Sequence, residues 1–517
     1  MGASHRLLQV ILSKTAESFP EKVAIRQDNQ TITYGELDKL SSRFASVLID
    51  LGVNKGDIVA IFLGNRPQFV IAYFGVLKAG AVVTVVSPLH KELEVERQLC
   101  DSGAQSIVVF ESLYHIIERV MDKTLLKNVI VTGGGVGEGY FKASDVGMGS
   151  NVFDFWDLIE KSVVDSRNFR FVSESDLAVL QYTSGTSGVP KGVMLSHVNL
   201  VSNVSFFTSW IKGVVDDVFL SVLPFFHVYG MTTSMLVPIS LGAELVLLSR
   251  FDPVECLRVI EHCRVSVFCG SPFMFNGLFR VEFEGYDLSS IRVCISGASH
   301  LSVDVQERFM RAGVFLVEGY GLTEASPVTH CTPIDRSIGS VKRGSVGLAL
   351  SGTEARVVDV ETGCSVLGVG KSGELCVRGL QVMLGYWRDP VESARVLRDG
   401  WLFTGDIAYM DSDGYLYIVG RKKDLIKCKD VSICPRELED ILYEHSAVKS
   451  CVVVGKSDKI QGEVPKAFVV LKDSVKVSSG ELIEFVNCKV ASYKALVEVE
   501  LCNELPHNLG DKVLGVF

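Results

Sequence analysis

A loop rich in hydroxyl-bearing residues and glycine occupies residues 182–192, with the sequence YTSGTSGVPKG. It follows the apolar run LAVLQ, which predicts a strand that leads into the loop. Backbone N–H groups and Ser/Thr hydroxyls in such a loop can converge on phosphate oxygens, and Lys191 adds a cation suited to a β- or γ-phosphate. Pro190 and Gly192 replace the second glycine and the Ser/Thr of a P-loop, so we predict a phosphate site of another type. A flexible linker is the competing interpretation.

The composition excludes several classes of protein. The 517 residues carry a net charge of −10, so the chain lacks the basic footprint of a general nucleic-acid binder. Its 13 cysteines include no Cys-x-x-Cys pair, which argues against the usual zinc and thioredoxin spacings. An odd number of scattered cysteines fits a reduced compartment, and the first residues do not fit a signal peptide. We therefore expect a cytoplasmic enzyme.

One segment is long and apolar enough to consider as a membrane span. Residues 218–243 contain no Asp, Glu, Lys or Arg. However, the segment contains two prolines, two glycines and a histidine, a mixture that suits a broken, buried segment better. We expect no transmembrane span, and we leave peripheral membrane contact and oligomeric state open.

The first 130 residues alternate short apolar runs with segments of helical periodicity. KVAIRQ, DIVAIFL, AVVTVVS, SIVVF and NVIVTG predict strands, whereas YGELDKLSSRFASVLIDLG and PQFVIAYFGVLKAG predict helices. This alternation is typical of parallel βα units with helices on both faces of a sheet. The segment GGGVGEG at 133–139 does not fit the G-x-G-x-x-G pattern, and we interpret it as a surface loop.

The rest of the chain predicts three further regions. A second α/β stretch is followed by a strand-rich stretch with Gly and Asp turns, and a basic cluster then precedes a small α/β tail. We predict an α/β protein with a large N-terminal domain and a small mobile α+β C-terminal domain. The predicted N-terminal domain comprises residues 1–419, with two βα-layered subdomains at about 1–175 and 176–340 and a small β-barrel-like subdomain at 341–419. The predicted hinge comprises residues 420–423, and the predicted C-terminal domain comprises residues 424–517.

The loop at 182–192 resembles the signature of the acyl-adenylate-forming superfamily, which includes acyl-CoA synthetases, aryl-CoA ligases, luciferases and peptide-synthetase adenylation domains. The resemblance covers almost the whole chain, because four further motifs follow in the same order: EGYGLTE (318–324), TGD (404–406), GRKKDLIK (420–427) and PHNLGDK (506–512). LPFFHVYGMTT, FDPVECLRVIE and GYGLTEASPVTH are most similar to bacterial long- and medium-chain fatty-acyl-CoA ligases.

The resemblance implies a two-step reaction that uses ATP, Mg²⁺ and CoA. A carboxylate attacks the α-phosphorus of MgATP to give acyl-adenylate and pyrophosphate, and CoA thiolate then displaces AMP to give a thioester. Lys512 is implied to bridge the carboxylate and the α-phosphate, carried by a C-terminal domain that turns about Lys423. Thr323 is implied to contact the α-phosphate, and Glu324 to bind Mg²⁺, which prefers oxygen ligands.

The resemblance also implies the contacts to the nucleotide. Tyr320 stacks on adenine, and the Asp406 carboxylate accepts hydrogen bonds from both ribose hydroxyls. The predicted ATP- and AMP-binding residues are Thr183, Ser184, Gly185, Thr186, Ser187, Gly188, Lys191, Gly297, Ala298, Glu318, Gly319, Tyr320, Gly321, Thr323, Asp406 and Arg421.

The acid pocket is predicted to be apolar. His227 lies at the family position beside the carboxylate, although a lone His in an apolar run is also typical of a hydrogen-bonded core residue. The predicted lining residues are His227, Tyr229, Met274, Phe275, Ile295, Pro327 and Val328. They include no cation that could pair with a second acidic group, so an aliphatic or aryl monocarboxylate is expected.

The chain departs from the family pattern at three places. Asp430 stands where the loop after the hinge usually has glycine, and Asp511 stands where glycine precedes the final lysine. A non-glycine residue at the first position would cost about 1 kcal/mol in strain, and the second carboxylate could hold the Lys512 ammonium away from substrate. His300 replaces a proline that is common in the adenine turn.

The leading hypothesis is therefore a fatty-acid–CoA ligase. Adenylation with another acceptor, such as a carrier-protein pantetheine, and an aryl acid as substrate are the alternatives within the same class. A degenerate protein that binds acyl-AMP or nucleotide without forming a thioester is a third possibility, and Asp430 and Asp511 are its motivation. A purely structural or membrane-anchoring role fits the motifs least well.

Overall fold

The structure is a computed structural model. It describes residues 7–134, 151–164, 171–183, 190–281, 285–335, 341–428, 431–458, 462–472, 475 and 477–505.

Several helices begin at a residue whose side chain caps the first turn. At the start of α2, for example, the Thr33 hydroxyl accepts from the Glu36 amide at 3.2 Å, and the Glu36 carboxylate accepts from the Thr33 amide at 2.8 Å. The α-helices are α1 (Leu8–Ser18), α2 (Tyr34–Asp50), α3 (Pro67–Lys78), α4 (Glu92–Ser102), α5 (Tyr114–Val120), α6 (Phe155–Lys161), α7 (His197–Trp210), α8 (Val228–Met231), α9 (Val237–Leu241), α10 (Pro253–His262), α11 (Pro272–Phe279), α12 (Val303–Arg311), α13 (Pro390–Val396), α14 (Pro435–Tyr443) and α15 (Ser479–Asn487).

Many of the strands coincide with the Val- and Ile-rich runs of the sequence. They are β1 (Val23–Gln27), β2 (Gln30–Thr33), β3 (Ile58–Phe62), β4 (Val82–Val85), β5 (Ser106–Phe110), β6 (Asn128–Thr132), β7 (Val152–Asp154), β8 (Leu177–Thr183), β9 (Lys191–Ser196), β10 (Val218–Ser221), β11 (Glu244–Leu247), β12 (Val267–Gly270), β13 (Val293–Ser296), β14 (Leu316–Gly321), β15 (Val328–Cys331), β16 (Leu348–Ala349), β17 (Glu354–Val358), β18 (Gly373–Arg378), β19 (Gly385–Tyr386), β20 (Leu397–Arg398), β21 (Trp401–Met410), β22 (Leu416–Arg421), β23 (Ile426–Cys428), β24 (Val431–Ile433), β25 (Val448–Asp458), β26 (Gly462–Leu471) and β27 (Glu498–Leu501).

Two large sheets organise the N-terminal part of the chain. One has the strand order β19-β9-β8-β4-β3-β5-β6-β7, and the other has the order β16-β15-β14-β13-β12-β10-β11-β1-β2. Strands β3 to β7 pair in parallel, as the βα alternation predicted. All five residues of β3 are buried, which is typical of a parallel strand covered on both faces. The predicted α/β class is confirmed.

The sheets exchange strands across the predicted subdomain boundary at residue 175. Strand β1 pairs in parallel with β11 in the second sheet, with Ile25 opposite Leu245. Conversely, β8 pairs in parallel with β4 in the first sheet, with Val83 opposite Val179. The ranges 1–175 and 176–340 therefore do not separate the two sheets. Local periodicity predicts a strand but not its partner, and the partner here is far away in sequence.

The charge-free segment at 218–243 folds as strand β10 followed by a short broken helix. Helix α8 is followed by a π-helix at Thr232–Leu236 and then by α9, and every residue from Val228 to Ile239 is buried. In the described part of the chain, no helix is long and apolar enough to cross a membrane. The expectation of a broken, buried segment is confirmed.

The chain divides into two compact units. The first comprises Met1–Glu354 and Arg378–Gly400, and the second comprises Ala355–Val377 and Trp401–Phe517. In the second unit, β21 pairs antiparallel with β18 and with β22, and a separate small sheet has the strand order β24-β23-β26-β25, with β27 also paired to β26. This second sheet and helices α14 and α15 enclose their own apolar core. The hinge at 420–423 and the predicted boundary at 419 remain predictions.

Candidate active site

Two antiparallel strands hold the ends of the phosphate loop. Strands β8 and β9 pair so that Thr183 lies opposite Lys191 and Tyr182 lies opposite Gly192. A Cβ atom on Gly192 would approach the Leu180 side chain to 2.9 Å and the Trp387 Cβ to 3.1 Å, so the strand needs glycine there. Ser184, Gly185, Thr186, Ser187 and Gly188 lie outside the described residues.

Lys191, the first residue of β9, makes a short ion pair. Its Nζ lies 2.7 Å from Oε1 of Glu392, and the two side chains are only 18% and 17% exposed. The same ammonium lies 5.2 Å from the centre of the Tyr386 ring. The predicted phosphate-binding cation is therefore held in place by a carboxylate and an aromatic face.

Tyr386 also connects to the predicted magnesium ligand. Its hydroxyl donates to Oε1 of Glu324 at 2.8 Å, and the Met383 amide donates to the Glu324 carbonyl at 2.8 Å. Burial, and then the nearby Glu324 carboxylate, raise the pKa of Tyr386, so this hydroxyl keeps its proton. Thr323 and Glu324 lie together in the short 3₁₀ helix Thr323–Ala325. The structure thus brings Lys191, Tyr386 and Glu324 into one cluster.

The predicted adenine contacts lie at the ends of adjacent parallel strands. Gly297 and Ala298 follow β13, and Glu318 to Gly321 form the end of β14 beside it. A Cβ on Gly297 would approach the Tyr229 ring to 2.9 Å, so only glycine lets the turn pass. Ala298 has φ +72, in the left-handed region that non-glycine residues rarely occupy. Such local strain is typical of functional turns.

His300, which replaces the common proline, faces one of these predicted contacts. Its Nδ1 lies 3.6 Å from Oε1 of Glu318, whose side chain is buried. On the same strand, the Tyr320 ring lies 6.0 Å from the His330 ring. Burial lowers the pKa of His330 to about 3, so this imidazole is neutral at physiological pH.

Two of the predicted acid-pocket residues, His227 and Tyr229, differ in exposure. His227 is exposed and accepts at Nδ1 from the Tyr229 amide at 3.4 Å, as the cap of helix α8. The structure therefore does not support the alternative interpretation of His227 as a buried core residue. The Tyr229 side chain is buried, and its hydroxyl donates to the carbonyl of Ile295 at 3.1 Å. Tyr229, Ile295 and Gly297 thus meet at one point.

The remaining predicted pocket residues are apolar and in part deeply buried. Met274 and Phe275 lie on α11, and the Phe275 ring packs 5.1 Å from Phe268 and 5.6 Å from Phe309 in a fully buried aromatic cluster. Val328 is buried on β15 directly after Pro327. The structure brings these residues into apolar surroundings, and their contact with an acid remains a prediction.

In the second unit, the predicted ribose-binding pair is formed across two strands. Asp406 on β21 and Arg421 on β22 are direct partners in the antiparallel register. Oδ1 of Asp406 lies 2.6 Å from Nε of Arg421, with the Asp406 side chain 3% and the Arg421 side chain 40% exposed. The carboxylate is thus fixed and buried, whereas its cation reaches solvent.

The hinge residue lies just beyond this pair. Lys423 is exposed within the 3₁₀ helix Lys422–Asp424, whereas its neighbour Lys422 binds the buried Glu374 carboxylate with an Nζ–Oε2 distance of 2.6 Å. Asp430, Asp511 and the predicted catalytic Lys512 lie outside the described residues.

Two residues of the Lys191 cluster were missed at the sequence level, namely Tyr386 and Glu392. Their signal is the segment GYWRDPVE, in which Asp389 and Pro390 mark a helix start and place Glu392 in its first turn. The pattern indicates the helix, but it does not reveal that the helix lies beside β9.

Family models match both parts of this chain. The model described as AMP-binding enzyme matches residues 12–387, and the model described as AMP-binding enzyme C-terminal domain matches residues 437–512. The chain belongs to the AMP-binding enzyme family. This result confirms the resemblance that the spaced motifs indicated.

Curated relatives of this family are similar over nearly their full length. The chain is 39% identical over 530 residues to the long-chain-fatty-acid–CoA ligase of Bacillus subtilis, covering 99% of this chain and 93% of the relative. It is 34% identical over 512 residues to 4-coumarate–CoA ligase 5 of Oryza sativa, covering 96% and 92%. Both names describe acid–CoA ligases, so the chain is an enzyme of the acid–thiol ligase class.

A solved structure has the same fold over almost the whole chain. ATP-bound MatB from Rhodopseudomonas palustris superposes with a TM-score of 0.87 at 28% identity, covering 98% of this chain and 97% of that chain. The predicted fold class, with a large N-terminal and a small C-terminal part, is thus shared by an enzyme of this family.

Proposed function

We propose that this AMP-binding enzyme is an ATP-dependent fatty-acid–CoA ligase that acts in the cytoplasm. The observation that carries the proposal is the cluster of Lys191, Tyr386 and Glu324 beside the strands of the phosphate loop. It combines a cation, a proton-retaining donor and a carboxylate, which are the groups that a nucleotide with its metal requires.

In the first half-reaction, an acid oxygen attacks the α-phosphorus of ATP and pyrophosphate leaves with its bonding electrons. Charge spreads over the phosphoryl oxygens, so catalysis depends on positioned cations and donors rather than on a protein nucleophile. We assign Lys191 to the β- or γ-phosphate, Thr323 to the α-phosphate and Tyr320 to adenine. We assign Asp406 to the ribose hydroxyls, because a buried carboxylate with a fixed position can accept two hydrogen bonds.

The residues also fit a magnesium ion that arrives with the nucleotide. Mg²⁺ is usually bound by one or two carboxylates together with substrate phosphates and water. Among the described residues, no group of three or more His, Cys, Asp or Glu side chains could hold a metal alone. Glu324 is the side chain that we assign to the ion, and the Tyr386 hydroxyl fixes its orientation. A magnesium ion held there would supply positive charge against the phosphate oxygens.

In the second half-reaction, the CoA thiolate attacks the acyl carbon and AMP leaves. The family resemblance supports a role for Lys512 in the first half only, with the C-terminal domain turning about Lys423 before the thiol enters. This division of labour lets one site perform two reactions in sequence.

We propose a fatty acid as the substrate because the predicted pocket is apolar and several curated relatives are named long-chain-fatty-acid–CoA ligases. Tyr229, Ile295 and Val328 are buried, and no Lys or Arg is among the predicted lining residues. An aryl acid is the second candidate, because a relative of similar identity is named 4-coumarate–CoA ligase.

The test is acid-dependent pyrophosphate release and thioester formation, measured with fatty acids of increasing chain length and with 4-coumarate. We expect release with fatty acids and a thioester when CoA is present. Preference for 4-coumarate would replace the proposed substrate. Release without thioester would favour another acceptor or a degenerate enzyme, and no release with any acid would contradict the proposed activity.

A further inference from the structure

Glu392 binds two cations at once. Its Oε1 lies 2.7 Å from Nζ of Lys191, and Arg395 donates from Nη2 to Oε1 and from Nε to Oε2, both at 2.7 Å. Glu392 and Lys191 are mostly buried, whereas the Arg395 side chain is 64% exposed. Lys191 therefore shares its carboxylate with a second, solvent-facing cation.

The position of Glu392 is set by the helix that carries it. Helix α13 begins after Asp389, whose carboxylate accepts from the Glu392 amide at 2.9 Å. The Ser393 hydroxyl donates to the Asp389 carbonyl at 2.7 Å and accepts from the Tyr386 amide at 2.8 Å. The first turn of α13 is thus tied to β19, so Glu392 keeps its place whether or not Lys191 stays with it.

The charges of this group favour an exchange of partners. The hydrogen bond from Arg395, and to a smaller extent that from Lys191, lowers the pKa of Glu392 to about 2. The carboxylate is therefore ionised at every physiological pH. If Lys191 turned away, the bidentate Arg395 would still neutralise Glu392, and no uncompensated carboxylate would remain. Lys191 can therefore be released at low cost.

We propose that Glu392 is a positioning residue that competes with the phosphates of the nucleotide for Lys191. The carboxylate holds the ammonium while the site is empty, yields it to the incoming triphosphate, and takes it back as pyrophosphate leaves. Glu392 thereby limits the affinity for the phosphates and favours release of the product. This inference rests on one part of the proposed function, the contact between Lys191 and the nucleotide phosphates.

The test is calorimetric titration with MgATP in the absence of any acid or CoA, so that binding alone is measured. Glu392→Gln should bind MgATP about fivefold more tightly, because the Lys191 ammonium no longer leaves an ion pair of about 1 kcal/mol to reach the phosphates. Arg395→Gln should bind MgATP about threefold more weakly. Without Arg395, Glu392 holds Lys191 more strongly, and the phosphates compete less well for the ammonium. In a Lys191→Gln background, both substitutions should change affinity by less than about twofold.

The opposite changes in MgATP affinity expected for Glu392→Gln and Arg395→Gln distinguish competition for Lys191 from damage to the fold. Disruption of α13 would weaken binding in both variants and would persist without Lys191, so that pattern, or weaker binding by Glu392→Gln alone, overturns the proposal. Thermal unfolding identifies any variant that fails to fold. If Glu392→Gln fails, the direction of the change in MgATP affinity in Arg395→Gln decides: weaker binding supports the proposal, and unchanged or tighter binding overturns it. A wild type that binds MgATP but releases no pyrophosphate contradicts the proposed function alone, whereas absence of MgATP binding contradicts both.

Discussion

The two ion pairs among the predicted nucleotide contacts are built in opposite ways. In the Lys191–Glu392 pair both side chains are mostly buried, and the carboxylate has a second cation in Arg395. In the Asp406–Arg421 pair the carboxylate is 3% exposed and the arginine 40% exposed. The first pair can therefore give up its cation, whereas the second keeps a buried acceptor in a fixed place.

This difference matches what each part of a nucleotide needs. Phosphates carry negative charge and require a cation that can leave its resting partner. Ribose hydroxyls are neutral donors and require an acceptor that does not move. The comparison teaches that a pair of a carboxylate and a cation serves either purpose. Its use depends on which side chain is buried and on whether the carboxylate has a second cation.

The largest expected effect concerns the fixed acceptor. Asp406→Asn should lower kcat/KM for ATP by about 100-fold, because two hydrogen bonds to a charged group contribute about 1.5 kcal/mol or more each. Pyrophosphate release at varied ATP concentrations measures the effect. Glu361→Gln, which removes an exposed carboxylate of the same unit, is the matched control and should change little. Equal losses in the two variants would remove the distinction between a fixed acceptor and an ordinary surface carboxylate.

A second prediction distinguishes the two ion pairs by comparing how their variants bind ATP and AMP. Lys191→Met should weaken ATP binding by about 10-fold while leaving AMP binding within about twofold, because the β- and γ-phosphates that the ammonium contacts are absent from AMP. Asp406→Asn should weaken the binding of both ligands. Competition titrations with ATP and AMP against each variant test this split. A Lys191 variant that loses AMP and ATP affinity equally would show that the cation acts on another part of the nucleotide.

A smaller effect is expected at the residue that links the cluster. Tyr386→Phe removes the hydroxyl that donates to Glu324 and keeps the ring beside Lys191. The Mg²⁺ concentration for half-maximal pyrophosphate release should rise about fivefold, because a hydrogen bond of about 1 kcal/mol no longer orients the carboxylate. Tyr417→Phe, which removes a hydroxyl that donates to the Asp411 carboxylate at 3.4 Å in the second unit, serves as control. An unchanged magnesium requirement in Tyr386→Phe would argue against Glu324 as the ligand.

A last experiment, on stability rather than on activity, separates the ion pairs from the buried histidines by their pH dependence. Burial lowers the pKa of His197 to about 4 and that of His330 to about 3, whereas the unfolded chain takes up these protons near pH 6.5. The stability that the neutral histidines contribute is therefore fully present above pH 6.5 and declines as the pH falls, by about 1.4 kcal/mol per pH unit for each group. The lowered pKa of Glu392 makes its contribution decline only below about pH 4.5.

Thermal unfolding between pH 6.5 and 5 should thus show a falling midpoint in the wild type and a flatter one in His197→Gln. His262→Gln, at an exposed position, should retain the wild-type slope. A slope that is insensitive to His197 would place the acid sensitivity elsewhere in the protein.

The sequence predicts most strands and helices, but it predicts their partners less well. The Val- and Ile-rich runs mark strands because burial on both faces favours such residues, and the capping residues at Thr33 and Asp389 mark helix starts. The pairing of β1 with β11 joins residues more than 200 positions apart, and nothing in the local pattern reports it. The same limit explains why Lys191 was predicted as a phosphate ligand while its partner Glu392, 201 positions away, was missed.

The proposed ligase activity is tested most directly by a single-turnover experiment with α-labelled ATP and a fatty acid. The account predicts that acyl-AMP accumulates in amounts equal to the enzyme without CoA and is converted to acyl-CoA and AMP when CoA is added. Absence of acyl-AMP with every acid would contradict the adenylation chemistry. Acyl-AMP that CoA cannot consume would contradict the assignment of CoA as the acceptor.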